Sequence, residues 1–281
     1  MLSQETKIIL KKHNIIPKHK FGQNFLTDAK ILDKIIKTAD LRKKDEVLEI
    51  GAGVGTLTRN LAKKVKKVAA VEIDRELVKV LQTIFRAAEN VEIIKKNILS
   101  REFEIADFID IKNSYKIIAN LPYNITSNFI RKFLSNEKIR PSEMILMVQK
   151  EVAERITANT GQMSLMSVSC QFYADCELAF LVSRKSFLPI PKVDSAVVKL
   201  EIKKSIPKID EKYFFQIVKA GFSSRRKKLK NNLAKGLNIQ KEEINKIFIK
   251  LKFGENIRAQ ELSVEDWTRL YKSVILLNLS F

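Results

Sequence analysis

Glu49-Ile50-Gly51-Ala52-Gly53-Val54-Gly55 directly follows a short apolar run and leads into a helical pattern. Glycines at such a junction let the chain turn tightly and let a ligand lie against the backbone without Cβ clashes. Glu72 stands 21 residues after Gly51, at the end of a second apolar run in Val71-Glu72-Ile73-Asp74. An acid in that place can accept hydrogen bonds from both hydroxyls of a ribose, as in dinucleotide-binding folds. The spacing is GxGxG rather than GxGxxG, however, and Glu49 precedes the loop. An amino acid-bearing nucleoside without a pyrophosphate suits this arrangement better than NAD. The alternative is a glycine-rich turn with no ligand.

A second motif, Asn120-Leu121-Pro122-Tyr123, follows a later apolar run. An aromatic amine is a poor nucleophile because its lone pair is delocalised into the ring. Two acceptors aimed at its hydrogens can localise that pair towards an incoming methyl group. The Asn120 side-chain oxygen and the Leu121 carbonyl can supply them. Pro122 fixes the turn and adds no competing N–H, and Tyr123 offers a face on which a base can stack. Read alone, the four residues also describe a plain turn.

These motifs need elements to hold them. Thr27–Thr38 keeps helical spacing through Ala29, Ile31, Leu32, Ile35 and Ile36, with Asp28 near the cap. Strand-like runs at Val47–Ile50, Val68–Val71, Val91–Ile94, Ile117–Ala119 and Met144–Val148 alternate with helical patterns at Leu57–Val65, Arg75–Ala88, Ser127–Ser135 and Lys150–Ala158. That alternation predicts an α/β domain with a parallel sheet covered on both faces. Beyond it, Leu165–Tyr173, Glu177–Val182 and Ala196–Ile202 read as further strands. Tyr213–Ala220, Arg226–Lys235, Lys241–Leu251 and Val264–Leu277 read as helices, which places a domain boundary near Ile202–Lys208.

Composition narrows the partners. With 45% hydrophobic and 30% charged residues the chain has globular rather than disordered composition. Its 52 basic residues against 32 acidic ones leave a net charge of +20, and the usual partner of so basic a protein is a polyphosphate. Residues 201–281 carry 18 basic and 9 acidic residues. Two cysteines, Cys170 and Cys176, imply no disulfide framework, and two histidines, His13 and His19, make a metal site unexpected. No run approaches a membrane span, and Met1–Lys12 lacks a signal core, so the expected location is the cytoplasm.

With these motifs in order, the chain resembles the ribosomal RNA adenine dimethyltransferase family, in particular its bacterial small-subunit branch. That branch modifies two adjacent adenines in the 3′-terminal hairpin loop. The resemblance runs from Phe21 to about Leu270. It rests on seven ordered motifs: Phe21–Leu26, the Gly51 loop, Val71–Asp74, Asn120–Ile125, Gln149–Ala153, Phe187–Ser195 and Phe222–Lys227.

The resemblance implies a Rossmann-like S-adenosylmethionine-dependent methyltransferase domain over residues 1–202 and a small C-terminal helical RNA-binding domain over 203–281. It implies that Asn24 and Leu26 contact the cofactor from the arm, that Gly51 and Gly53 line its methionine end, and that Glu72 holds the ribose. Asn120 would touch both cofactor and target amine, with the Leu121 carbonyl beside it. Tyr123 and Phe187 would wall the target base, the alternative for Phe187 being core packing ahead of a proline-rich turn. The implied partner is small-subunit ribosomal RNA within a pre-ribosomal subunit, bound by a monomer without metal or membrane.

One position departs from the family. Where an aspartate usually accepts from the adenine amine of the cofactor, Lys96-Asn97-Ile98 has Asn97. An amide oxygen can still accept, but the charge-assisted part is lost. In the run Ser224–Leu233, Arg225, Arg226, Lys228 and Lys230 are placed to neutralise RNA phosphates, or else form a solvated helix face. Two other functions remain open. One is the related large-subunit enzyme that confers macrolide resistance, against which the Phe222–Leu233 element and the long helical tail speak. The other is an assembly factor without catalysis, against which the intact Asn120–Tyr123 motif speaks and which Asn97 keeps open.

Overall fold

A computed structural model describes residues 2–18, 21–110 and 114–278; His19 lies outside them. Contacts divide the chain into two compact units, Met1–Glu154 with Asp175–Ile202, and Arg155–Ala174 with Lys203–Phe281.

The first unit is built on a sheet of seven strands among the described residues. Its strands are β2 (Glu46–Ile50), β3 (Lys67–Glu72), β4 (Val91–Lys95), β5 (Tyr115–Asn120), β6 (Glu143–Gln149), β7 (Ala174–Val182) and β9 (Ser195–Ile202), in the spatial order β4-β3-β2-β5-β6-β9-β7. From β4 to β6 all neighbours are parallel, and β9 then runs antiparallel to β6. The sheet is therefore mixed rather than purely parallel. Strand order runs outward in opposite directions from the β2–β5 pair. In open α/β sheets ligands bind at that reversal, beyond the carboxyl ends of the strands. The register brings Ile50 level with both Val71 and Ala119, so the loops after β2, β3 and β5 emerge side by side.

Helices α2 (Ala29–Thr38), α3 (Thr56–Ala62), α4 (Arg75–Ile84) and α5 (Thr126–Ser135) fall where the apolar spacing predicts them. Asp28 caps α2 by accepting from the N–H groups of Lys30 and Ile31, which satisfies donors that a helix start leaves free. Every residue of β2 is buried, as expected of a strand covered on both faces.

Two elements were not expected. Helix α1 (Leu2–Lys12) forms in what reads as a basic arm, and it does so through tertiary packing. Leu10 and the following Ile15 join Phe25, Val54, Leu77 and Val80 in a small apolar cluster. A two-stranded ribbon pairs β1 (Phe25–Leu26) with β8 (Phe187–Leu188), placing Leu26 opposite Phe187.

The second unit corrects the reading of Leu165–Tyr173 as a strand. Helix α6 (Lys150–Ile156) runs across the boundary between the units, and α7 (Leu165–Gln171) lies in the second. Ser164 and Ser167 form a reciprocal capping box, each side chain bonding the backbone N–H of the other. That local start signal, with Val168 and Cys170 both buried, outweighs the β-branched and aromatic composition of the run. Phe172 packs on Phe214 of α8 (Glu211–Gly221), so residues 155–174 share a core with the C-terminal helices. Helices α9 (Leu229–Leu237), α10 (Lys241–Leu251) and α11 (Val264–Asn278) complete this unit, with Trp267 fully buried.

Candidate active site

A cavity of about 310 Å³ opens at the strand-order reversal. Its wall includes Asn24, Leu26, Gly51, Gly53, Glu72, Asn97, Asn120, Leu121 and Tyr123, so residues far apart in sequence meet there. The volume falls at the small end of the usual range for ligand pockets.

The glycine loop is shaped by its surroundings. Gly51 has φ +70° and Gly55 φ +80°, conformations that side chains rarely adopt. A Cβ on Gly55 would also come within 2.6 Å of the Phe85 ring. The Gly51 N–H donates to the Val71 carbonyl at 2.9 Å, which ties the loop to the end of β3.

Glu72 is 6% exposed and accepts three backbone N–H bonds, from Gly53 at 3.0 Å, Ile73 at 2.8 Å and Asp74 at 2.9 Å. Burial pushes its carboxyl up, and those three donors pull it back. Oε1 takes two of these bonds and Oε2 one, so Oε2 keeps a lone-pair site for a ribose hydroxyl. Asp74 fastens the arm to the start of α4, taking Lys18 Nζ at 2.9 Å and Gln23 Nε2 at 2.9 Å. Burial would raise the Asp74 carboxyl, but Lys18, Gln23 and the Glu76 N–H bring it below the usual range. This clamp escaped sequence reading, though Gln23 lies inside the Phe21–Leu26 motif.

Glu49 is 1% exposed and lines the cavity. Its Oε2 has no hydrogen-bond partner among the described residues. Burial pushes its carboxyl up to about 8, with Thr58 opposing and the nearby Glu72 adding to the rise. Between about 4.5 and about 8 the folded protein therefore keeps a proton that the unfolded chain has released. Stability should fall as pH rises through that window, with a limiting slope of about 1.4 kcal/mol per pH unit for one proton. Glu49→Gln should flatten the decline and be the more stable protein near pH 8. Urea titrations from pH 5 to 8 that give parallel curves for parent and variant would refute this.

The Asn120 amide is oriented by its own donor. Its Nδ2 donates to the Asn24 carbonyl at 2.9 Å, which leaves Oδ1 as the amide atom available to accept. The Leu121 N–H is taken by the Met147 carbonyl at 3.1 Å, fixing the peptide that follows β5. Tyr123 is half-buried, and its hydroxyl lies 2.9 Å from Ser195 Oγ, so the ring cannot swing freely. Burial raises the Tyr123 hydroxyl pKa, partly offset by Ser195.

Asn97 is exposed at the cavity rim, and its Oδ1 already accepts from the Leu99 N–H at 3.0 Å. A bound adenine would share that oxygen. Asn97→Ala should weaken binding of an adenosine-bearing ligand by roughly 0.5–1.5 kcal/mol, the net worth of one hydrogen bond. Asn97→Asp should bind at least as well as the parent. Calorimetry showing no change for either variant would remove Asn97 from the site.

Phe187 is not brought to this cavity. Its side chain is 3% exposed and belongs to the central apolar core with Leu26, Val182 and Val197. Arg225 and Arg226 lie in an exposed turn, because α9 starts at Leu229 rather than at Arg226. Among the described residues neither has an ion-pair partner. Lys230 and Lys228 differ, reaching Glu255 at 3.0 and 3.6 Å. No group of three or more His, Cys, Asp or Glu among the described residues is arranged to hold a metal ion. No helix of the described residues is long and apolar enough to cross a membrane.

A family model described as ribosomal RNA adenine dimethylase matches residues 16–276. The chain belongs to that family. It is accordingly an S-adenosylmethionine-dependent rRNA adenine dimethyltransferase with a Rossmann-like fold. It is similar to the ribosomal RNA small subunit methyltransferase A of Streptococcus thermophilus, 39% identical over 274 residues, 94% of each chain. Among solved structures, a dimethyladenosine transferase from Plasmodium falciparum superposes with a TM-score of 0.74 at 28% identity, covering 91% of this chain and 98% of that one. The 23S rRNA methyltransferase ErmE gives 0.71 at 26%, covering 90% and 100%.

The residues present fit the family's cofactor. Glu72 offers carboxylate acceptors for a ribose, while Ile73, Ile98 and Leu99 give an apolar wall beside Asn97 for a purine. Gly51, Gly53 and the orphaned Glu49 oxygen supply a polar end for an amino acid.

Proposed function

We propose that this chain dimethylates the exocyclic amines of two adjacent adenines in the 3′-terminal hairpin loop of small-subunit ribosomal RNA, within a pre-ribosomal subunit. The observation that carries the chemistry is the Asn120 amide at the cavity wall, held through Nδ2 by the Asn24 carbonyl so that its oxygen is available to accept. The choice of subunit is supported by relatives named for the small subunit at 38–39% identity over more than nine-tenths of the chain. The 23S rRNA methyltransferase ErmE is 26% identical.

Bound S-adenosylmethionine supplies an electrophilic methyl group; the protein's task is to position the amine. Asn120 Oδ1 and the Leu121 carbonyl accept the amine's hydrogens and turn its lone pair out of the ring. Tyr123, braced by Ser195, offers a stacking face for an adenine splayed from the loop. No strong general base is needed, because the proton leaves a nitrogen that has already become cationic. A monomethylated amine still has one hydrogen to offer and remains a substrate. The dimethylated amine has none, so both acceptors lose their partners and the product is released.

Arg225 and Arg226 are assigned to phosphates, which position an RNA without reading its sequence. Replacing both with alanine should flatten the salt dependence of RNA binding by roughly 1.4–1.8 in log–log slope, the value for two phosphate contacts. Lys230→Ala should change it less, since Glu255 already competes for that lysine. An unchanged slope in the double arginine variant would leave the turn a solvated surface. Incubating the protein with labelled cofactor and unmethylated small subunits, then mapping the product, tests the function itself. Label at adjacent adenines of the 3′-terminal loop is expected; label confined to a large-subunit adenine, or none, would overturn it.

A further inference from the structure

Helix α5 begins immediately after the Asn120–Tyr123 motif and is fastened to it. The Ile125 N–H donates to the Pro122 carbonyl at 3.1 Å, and the Phe129 N–H to the Ile125 carbonyl at 2.9 Å. Phe129 and Phe133 are fully buried, so the helix is pinned in the core. From the same helix Lys132 reaches the loop after β4, where its Nζ donates to the Ile98 carbonyl at 2.9 Å and the Ser100 carbonyl at 2.8 Å. The ammonium lies 5.3 Å from the centroid of Phe103, a ring that is 4% exposed and stacks on Phe108. Ordinarily a helix lysine points to solvent or to a carboxylate. This one is part-buried, and burial pushes its pKa down, opposed by the Glu104 charge.

The two carbonyls have a particular place. They bracket Leu99 and adjoin Asn97, in a stretch with no regular secondary structure whose residues 96–99 line the cavity. Within the loop, Asn97 Oδ1 accepts from the Leu99 N–H and the Asn97 carbonyl accepts from the Ser100 N–H at 2.9 Å. Those local bonds set the turn's shape but tie it to nothing else. The two charge-assisted bonds from Lys132 join it to the helix that carries the target-base motif at its other end.

We propose that Lys132 is a positioning residue for cofactor recognition, holding the Asn97–Leu99 wall at a set distance from the Asn120–Tyr123 motif. The assignment rests on the reading of Asn97 as the contact for the cofactor's adenine. Without the ammonium, the Ile98 carbonyl loses its donor, the Ser100 carbonyl keeps only the Phe103 N–H at 3.4 Å, and the wall loses its tie to the helix, while Asn120 and its anchor are untouched. Loss of Lys132 therefore acts on cofactor affinity and leaves the methyl-transfer step alone.

The test uses S-adenosylhomocysteine as the probe, measured by calorimetry on the full chain carrying Lys132→Met, Lys132→Arg, Asn97→Ala, or Lys132→Met together with Asn97→Ala. Lys132→Met should weaken binding about 2- to 12-fold, since its effect runs through a contact with the net worth of one hydrogen bond. The KM for S-adenosylmethionine should rise in step while kcat at saturating cofactor and RNA stays within about twofold, the signature of lost ground-state binding. Lys132→Arg, which can reach both carbonyls, should recover most of the affinity. In the double variant the two losses should fail to add, because both act on one contact. If Asn97→Ala binds weakly and Lys132→Met binds like the parent, the positioning role is overturned. If Lys132→Met is weak and Asn97→Ala is normal, the Asn97 reading falls and the lysine acts through Ile98 and Leu99 instead. Normal binding by both variants overturns both. Should Lys132→Met fold poorly, Lys132→Arg decides, since a parent-like KM from the arginine and a raised one from Lys132→Gln separate positioning from bulk packing.

Discussion

Asn120→Ala is expected to lower the rate of methyl transfer by at least about 100-fold, the scale on which single preorganised hydrogen-bonding groups act at a reacting centre. Two features make Asn120 more than one acceptor among several. Its Nδ2 is committed to the Asn24 carbonyl, so the amide is held and Oδ1 is available to accept without reorganising when substrate arrives. It also stands at the end of β5, where its backbone pairs with Met147 of β6 and the preceding Ala119 pairs with Ile50 of β2. Alanine removes the acceptor and leaves the strand intact, so thermal stability should change little. RNA affinity should largely persist, because phosphate contacts are made elsewhere. Asn120→Asp is the sharper variant: it keeps an accepting oxygen but loses the donor to Asn24 and sets a negative charge against that carbonyl. Loss of that donor should leave Asn120→Asp severely impaired as well. Single-turnover rates with saturating cofactor measure this directly, and a near-parental rate for Asn120→Ala would remove the residue from the mechanism.

Phe187→Ala should destabilise the first unit by about 3–5 kcal/mol, the usual cost of emptying a buried phenylalanine site. The residue sits in the central core on the strand that pairs with Leu26, so the cavity left behind would lie under the arm that lines the site. Loss of activity in this variant would then follow from loss of structure. Tyr123→Ala makes the contrast. Tyr123 is half-buried at the cavity wall, so its removal should cost little stability. It should nonetheless weaken binding of the target base by about 1–3 kcal/mol, the measured range for stacking on an aromatic side chain. Denaturant titration beside methylation kinetics separates the two residues. A Phe187→Ala protein with parental stability and slow methylation would restore Phe187 to the pocket wall and require the ribbon to open when RNA binds.

Local pattern alone determined the order of helices and strands from Ala29 to Gln149, because each element there satisfies its own periodicity and caps. Asp28 before α2, Asp74 before α4 and the glycines after β2 act within a few residues of themselves, so their consequences can be read off the chain. The residues that meet in the cavity were legible for a related reason. Parallel strands in register bring the loops after Ile50, Glu72 and Asn120 together whatever else the chain does. Where local signals conflict, only tertiary structure decided. Leu165–Tyr173 has the composition of a strand, but the Ser164–Ser167 box and the packing of Phe172 on Phe214 make it a helix. Helix α1 has a polar sequence and exists through the side chains it packs beneath it. Burial is likewise not a local property: nothing within Phe187-Leu188-Pro189 distinguishes a base wall from a core residue, and pairing with β1 draws the ring inward. Long side chains conceal the most. A lone lysine on a helix face carries no signal in sequence, and Lys132 acquires its role only because a loop from 32 to 34 residues upstream passes within reach of its ammonium.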